Sequence, residues 1–291
     1  MYQFSLLNNA QAVCFQKLTY PTYRSLLNTL DANNFIIAVG VNLGSQPIGL
    51  GLAIIDKDDA EIISLFIHPE HRSQGLGKTL LNYLEIELQQ RRCSQVRLVY
   101  ISNSTTPALL RILKQLNWSI PQVRMLVCEG TKESIKNAPL LRINFCLPVS
   151  YTIFSWIELT PEDREYIQRQ QAICPWYPEI LSPFDDEKII EPINSLGLRY
   201  HGQVVGWMIT HRVAIDTIRY TKLFVKKELQ ALGRAIPLLV NAIQLQLEKS
   251  EASKAVFTVL YDNQKMIDLV NRRLGLYLSL LRQSWHSSKS I

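Results

Sequence analysis

The chain has 291 residues, 47% apolar and 19% charged, a balance that supports packed cores and excludes a disordered chain. That length exceeds what one hydrophobic core organises, so two domains are expected. The formal net charge of +6, spread without a Lys/Arg stripe, favours anionic ligands mildly and gives no basis for a nucleic-acid partner.

In chain order, residues 11–18 alternate and read as a strand. Residues 19–30, "TYPTYRSLLNTL", read as a helix capped by Thr19 with Pro21 in its first turn. "NFIIAVGVN" and "PIGLGLAIID" form a hairpin around "LGSQ", and "EIISLFIHP" is a third strand. "GLGKTLLNYLEIELQQRR" is an amphipathic helix ending in basic residues. "QVRLVYIS" is a strand, "PALLRILKQLN" a helix opened by Pro107, and "QVRMLVCE" closes the segment as a strand. Residues 129–150 show no period, and the boundaries are drawn as a domain over 1–135, a connector over 136–150 and a domain over 151–291. The order then restarts. "YTIFSWIEL" is a strand and "TPEDREYIQRQQ" a helix capped by Thr160 with Pro161 first. "GLRYHGQVVGWMITHRV" is a hairpin turning at His201–Gly202, and "TIRYTKLFV" is a strand. "GRAIPLLVNAIQLQLEKS" is a helix, and "KAVFTVLY" and "NQKMIDLVNRRLG" follow as strand and helix.

The two halves also share spacing. The offset that pairs Phe66 with Phe224 pairs Gly75 with Gly233, Gly77 with Ala235, Leu80 with Leu238 and Leu81 with Leu239. So long a period means duplicated domains rather than a solenoid.

The five cysteines, Cys14, Cys93, Cys128, Cys146 and Cys174, form no CxxC pair, which suggests neither a zinc site nor a disulfide framework. The start "MYQFSLLNNAQAVCFQ" lacks the pattern of a signal peptide. No apolar run reaches the roughly 20 residues of a membrane span. A cytoplasmic protein with no membrane partner is expected.

The chemistry concentrates in "IHPEHRSQGLGKT". A helix start offers unpaired N–H groups and the positive end of the dipole, and phosphate is their usual guest. Arg72 supplies a cation, Gly75 and Gly77 leave the backbone uncovered, and Lys78 and Thr79 sit in the first turn. Neither the P-loop nor the Rossmann pattern fits this spacing.

The strand, "IHPEHR", R-x-x-G-x-G and the amphipathic helix together resemble the acetyl-coenzyme A motif of the GNAT acetyltransferases. That resemblance covers about residues 10–130, and Gln230, Gly233 and Ala235 repeat its frame in the second half. It implies an α/β (α+β) chain of two tandem GNAT-like domains, each a mixed, mostly antiparallel twisted sheet flanked by helices. It implies acetyl-coenzyme A as co-substrate, with free backbone at Phe66 and Ile67 holding the pantetheine arm where that strand splays from its neighbour. Arg72, Ser73, Gln74, Gly75, Leu76, Gly77, Lys78 and Thr79 would cradle the pyrophosphate, and Asn103 keeps a further motif position of the carrier site.

Acetyl transfer to an amine needs a base and something to protonate the departing thiolate. Glu61 lies where histone acetyltransferases of the family place a general-base glutamate; alternation puts it on one face with Ile63, Leu65 and Ile67. The family's late tyrosine is absent, with Leu113 in its place, and Tyr100 and Tyr83 are alternatives that read first as packed aromatics. In the second half Arg219 falls at the base position, Val270 near the tyrosine position, and Arg234 and Pro237 alter the turn. That copy reads as degenerate. The aromatics of "CPWYPEILSPFDD" read as a packed loop, with a cleft lining as the alternative. His68 and His71 flank a proline turn and read as solvent-facing, and Asp58, Asp59, Asp185 and Asp186 read as loop acids whose spacing shows no metal convergence. The reading is an N-acetyltransferase acting on a small-molecule or peptide amine by direct attack in a ternary complex, with the N-terminal domain active. A non-catalytic acyl-coenzyme A sensor is the alternative. Acceptor choice is expected from residues 20–35.

Overall fold

The computed structural model describes residues 1–291 apart from Asn33 and Asn144. Those two fall within the expected specificity segment and connector and lie outside the described residues. The first strands are β1 (Tyr2–Leu6), β2 (Ile36–Leu43), β3 (Gln46–Asp56), β4 (Asp59–Ile67), β5 (Gln95–Ile101) and β6 (Gln122–Thr131). The remainder are β7 (Tyr151–Ser155), β8 (Leu196–Tyr200), β9 (Gln203–Ala214), β10 (Thr217–Val225), β11 (Lys254–Leu260) and β12 (Leu280–Ser290).

Contacts divide the chain into two compact units, Met1–Arg124 with Gln283–Ile291, and Met125–Arg282. The boundaries at 1–135, 136–150 and 151–291 cut across both. The strand expected to close the first half, β6, pairs with β11 from Lys254↔Thr131 to Leu260↔Met125 and so belongs mostly to the second unit. In exchange, β12 pairs with β5 from Ser284↔Ile101 to Ser290↔Gln95 and completes the first. The expected connector is also no linker: Ala138 and Leu140 are buried with Val240 and Leu274 in the second unit.

Within unit 1 the strand order is β1-β2-β3-β4-β5-β12, and all pairs are antiparallel except β4–β5. Unit 2 runs β6-β11-β10-β9-β8-β7, antiparallel except β10–β11. On one face of the first sheet the Leu76–Gln90 helix buries Leu80, Leu81, Leu84 and Leu88 against Val39, Ile62 and Val96. Each such side chain contributes about 1.5–3 kcal/mol of transfer free energy. The other face holds Phe15, Leu27, Leu50 and Leu52. In unit 2 the Ala235–Lys249 helix covers one face, and an aromatic cluster around Trp207 covers the other.

Two local expectations are corrected. Residues 11–18 are helical, in Asn9–Ala12 and the 3-10 turn Val13–Leu18, because Asn8 and Gln11 form a reciprocal capping box at 2.9 and 3.1 Å. Thr19 does not cap the 3-10 helix Pro21–Asn28, since its hydroxyl is drawn to Ser64 Oγ at 3.0 Å in a buried contact. Both β1 and β12 escaped the periodicity reading. The Thr160 capping box and the His201–Gly202 turn, with φ of 48° and 83°, are as expected.

Candidate functional site

Strand β4 loses its parallel neighbour halfway. Its pairing with β5 runs from Asp59↔Gln95 to Ile62↔Leu98 and goes no further, while pairing with β3 continues to Ile67↔Gly49. Residues 63–67 therefore present backbone groups to a widening gap. A bulge helps to open it, because Leu52 pairs with Ser64 and Ala53 with Ile62, leaving Ile63 extra. The bulge also interrupts alternation. Ile62, Leu65 and Ile67 pack toward the Leu76–Gln90 helix, whereas Ile63 packs on the opposite face. Glu61 therefore does not share a face with Leu65 and Ile67. It is half-buried, and Arg97, its register partner, gives its guanidinium to Asp59 at 2.8 Å. Glu61 has no ion pair among the described residues.

At the end of β4 the turn is built from side chain to backbone. Arg72 Nε donates to the Ile67 carbonyl at 2.9 Å, with its guanidinium 5.8 Å from the centre of the Phe66 ring. Ser73 and Gly75 have φ of 62° and 80°. The first holds a non-glycine residue in a left-handed conformation that costs about 1 kcal/mol. The second has nothing within 4 Å of where a Cβ would stand. The N–H of Arg72 goes to Pro69 and that of Thr79 to Gly75, at 3.2 and 3.0 Å. Between them, the N–H groups of residues 73 to 78 reach no backbone carbonyl among the described residues. Exposed donors at a helix start form a concave anion site. Gly77 has a different reason to be small: a Cβ there would stand 3.2 Å from Ile112 Cδ1, so its absence lets the Thr106–Gln115 helix pack close. Lys78 and Thr79 are exposed on the first helical turn. Asn103 organises the next helix start, its Oδ1 accepting from Thr105 N and Oγ1 at 2.8 and 2.7 Å.

Tyr2, on the unforeseen β1, braces the turn by donating to Gln74 Oε1 at 2.7 Å and contacting His71 Nδ1 at 3.3 Å. The ligand atoms of His68, Glu70 and His71 lie within 4.8 Å of one another, a convergence their spacing did not announce, with Glu70 largely exposed. Leu113 is fully buried in the apolar core, so no hydroxyl stands at the tyrosine position. Tyr83 stacks on Phe4 at 6.5 Å.

Unit 2 repeats the frame with other contents. Gln230 Nε2 donates to the Val225 carbonyl at 2.8 Å, the counterpart of Arg72 on Ile67. Thr221 is the extra residue of the β10 bulge, β10–β11 pairing stops at Tyr220↔Phe257, and Gly233 has φ of 69°. The turn itself is closed, however. Leu232 and Gly233 N–H groups bond back to Leu229 and Gln230, Pro237 has no N–H, and the Arg234 guanidinium lies 4.9 Å over Tyr151. Trp176, Tyr177 and Phe184 of the aromatic loop pack with Trp207 and Phe224 as core.

A gap between parallel strands, an amide-lined turn and a frame repeated in unit 2 give the chain a tandem GNAT-like fold. Residues 4–113 match the Acetyltransferase (GNAT) family model. A tandem GNAT protein from the clavulanic acid biosynthesis pathway is similar over 100% of this chain and 98% of its own, at 14% identity and a TM-score of 0.64. A GCN5-related N-acetyltransferase from Sphaerobacter thermophilus matches 99% of this chain and 95% of its own, at 15% identity and a TM-score of 0.64. A glucosamine N-acetyltransferase region of a fungal multi-domain GH3 β-N-acetylglucosaminidase aligns with 99% of this chain and 38% of its own, at 12% identity and 0.59. At these identities the likeness is one of fold. No curated protein sequence matches the chain. Among the described residues, no helix is long and apolar enough to cross a membrane.

Proposed function

We propose that this protein is an acetyl-coenzyme A-dependent N-acetyltransferase whose unit 1 carries the reaction, by direct attack of an amine on the bound thioester. One observation carries the reading: residues 73 to 78 hold their N–H groups free at a helix start while Arg72 is tied to the strand end. Those donors fit the diphosphate of the carrier, and the unpaired edge of residues 63–67 fits the amides of its pantetheine arm. When bound, the carrier supplies an activated acyl group. Glu61, without an ion pair among the described residues, takes the proton of the attacking amine, directly or through water. Exposed Lys78 adds a cation beside the turn.

The buried Leu113 favours a second reading, a sensor that binds the acyl carrier and performs no transfer. Calorimetry with acetyl-coenzyme A, followed by thiol release across a panel of amines and peptides, tests both. Binding with turnover supports the enzyme, binding without turnover across the panel supports the sensor, and no binding removes both.

A further inference from the structure

His68, Glu70 and His71 take no part in the acyl-carrier reading, yet their ligand atoms lie within 4.8 Å of one another. Local backbone produces that convergence. Pro69–His71 form a 3-10 turn, closed by His71 N–H on the His68 carbonyl at 2.9 Å and Arg72 N–H on the Pro69 carbonyl at 3.2 Å. Three residues complete one turn of such a helix, so side chains three positions apart eclipse. The two imidazole rings accordingly stand 6.0 Å apart, tilted by 52°. The end of β4 anchors the first of them, through His68 N–H on the Ile48 carbonyl at 2.7 Å.

The ring nitrogens supply the second observation. His68 Nδ1 is shut off from solvent and has no hydrogen-bond partner among the described residues. Buried polar atoms are nearly always paired, so this one calls for a partner the protein does not itself provide. Glu70 Oε2 stands 3.7 Å from it, beyond hydrogen-bond range. Two ligands of a tetrahedral zinc ion, with bonds of about 2.0–2.1 Å, stand about 3.4 Å apart, which is close to that separation. His71 is held from its other side. Tyr2 has one hydroxyl proton, and Gln74 Oε1 takes it at 2.7 Å. His71 Nδ1, 3.3 Å from the same hydroxyl oxygen, must then be the donor to it, which leaves the lone pair on Nε2. Metal-bound histidines are oriented in this way, by giving the second ring N–H to a polar partner.

We propose that His68, Glu70 and His71 bind a divalent transition-metal ion of the zinc type. Two imidazoles and a carboxylate suit zinc, whereas magnesium and calcium take oxygen ligands. Three protein ligands leave the fourth position to water. The ion joins the end of β4 to the turn that carries Arg72 and, through Tyr2, to Gln74 among the free amides. No step of acyl transfer runs through it.

The metal alone tests this. Zinc is titrated by calorimetry into the chelator-treated full chain, as wild type, Glu70→Gln and His68→Ala, and cobalt(II) in place of zinc reports ligation through its visible absorbance. Glu70 is largely exposed, so Glu70→Gln keeps the fold and serves alone if His68→Ala fails to fold by circular dichroism. The expected result is one ion per wild-type chain, with affinity lower by about tenfold or more in Glu70→Gln. That binding step and the cobalt bands should both vanish in His68→Ala. Absence of zinc uptake by the wild type overturns the proposal. So does equal uptake by wild type and variants, the result expected if the exposed thiols of Cys14, Cys146 and Cys174 were the ligands. Coenzyme A is absent throughout, so either failure leaves the acyl-carrier reading standing.

Discussion

The two strand-to-helix turns begin alike and end differently. In each, a long polar side chain ties down the carbonyl at the strand end, Arg72 on Ile67 and Gln230 on Val225. In each, a glycine takes a left-handed conformation. Yet the first turn leaves its amides free, and the second spends Leu232 and Gly233 on local bonds, replaces one donor with Pro237 and lays Arg234 over Tyr151. A duplicated backbone frame therefore preserves the shape of the turn without preserving its free donors. Shape follows from a few conformational residues, whereas donor availability depends on every hydrogen bond the loop makes.

The broadest way to break the contrast is to end the chain at Arg282. Removing β12 strips β5 of its pairing from Ser284↔Ile101 to Ser290↔Gln95 and takes Lys289 from buried Glu85. Unit 1 should lose cooperative unfolding and coenzyme A binding together, as read by urea denaturation and calorimetry. Retained binding would show that unit 1 stands without the last strand. Next in size, Glu61→Gln should lower turnover by about a hundredfold or more with cofactor affinity unchanged, while Ala at Arg219, its counterpart, should leave turnover alone. Equal turnover in wild type and Glu61→Gln would remove that carboxylate as the base.

Gly75→Val sharpens the comparison of the turns themselves. A β-branched residue at φ of 80° is strained by about 1–2 kcal/mol and covers the amides, so coenzyme A affinity should fall about tenfold or more. Gly233→Val introduces similar strain at φ of 69°, and should lower stability without touching that affinity. A loss of affinity from the second variant would mean that unit 2 also holds the carrier. Arg72→Ala should cost less, about 1 kcal/mol of binding, because its cation is exposed and its bond to Ile67 is single.

The smallest effect expected belongs to unit 2. Burial holds the His211 imidazole below its ordinary value, against the opposing influence of Asp185 and Asp186 and with a further contribution from Lys222 and Arg219. The unfolded chain then binds the proton more readily than the folded one, so stability is lost as pH falls below the unfolded value of about 6.5. His211→Gln should flatten that acid-side slope in urea midpoints measured between neutral and mildly acid pH. An unchanged slope would assign it to other groups.

The alternating strands β2 to β5 and β8 to β11, the Leu76–Gln90 helix and the R-x-x-G-x-G turn were legible because local spacing carries them, through alternation in strands and through caps and left-handed glycines in turns. The same locality misled at residues 11–18, where one capping box outweighed the alternation, and at Glu61, where a single extra residue at Ile63 undid the inferred face. What the linear order left open is which partner each strand finds. β6 carries strand alternation without naming its partner, β12 carries no period that marks it as a strand, and only packing assigns β6 mostly to unit 2 and β12 to unit 1. The free amides of residues 73 to 78 and the unpaired His68 Nδ1 are likewise facts of assembly, since a hydrogen bond made or left unmade depends on what the folded chain brings within about 3 Å.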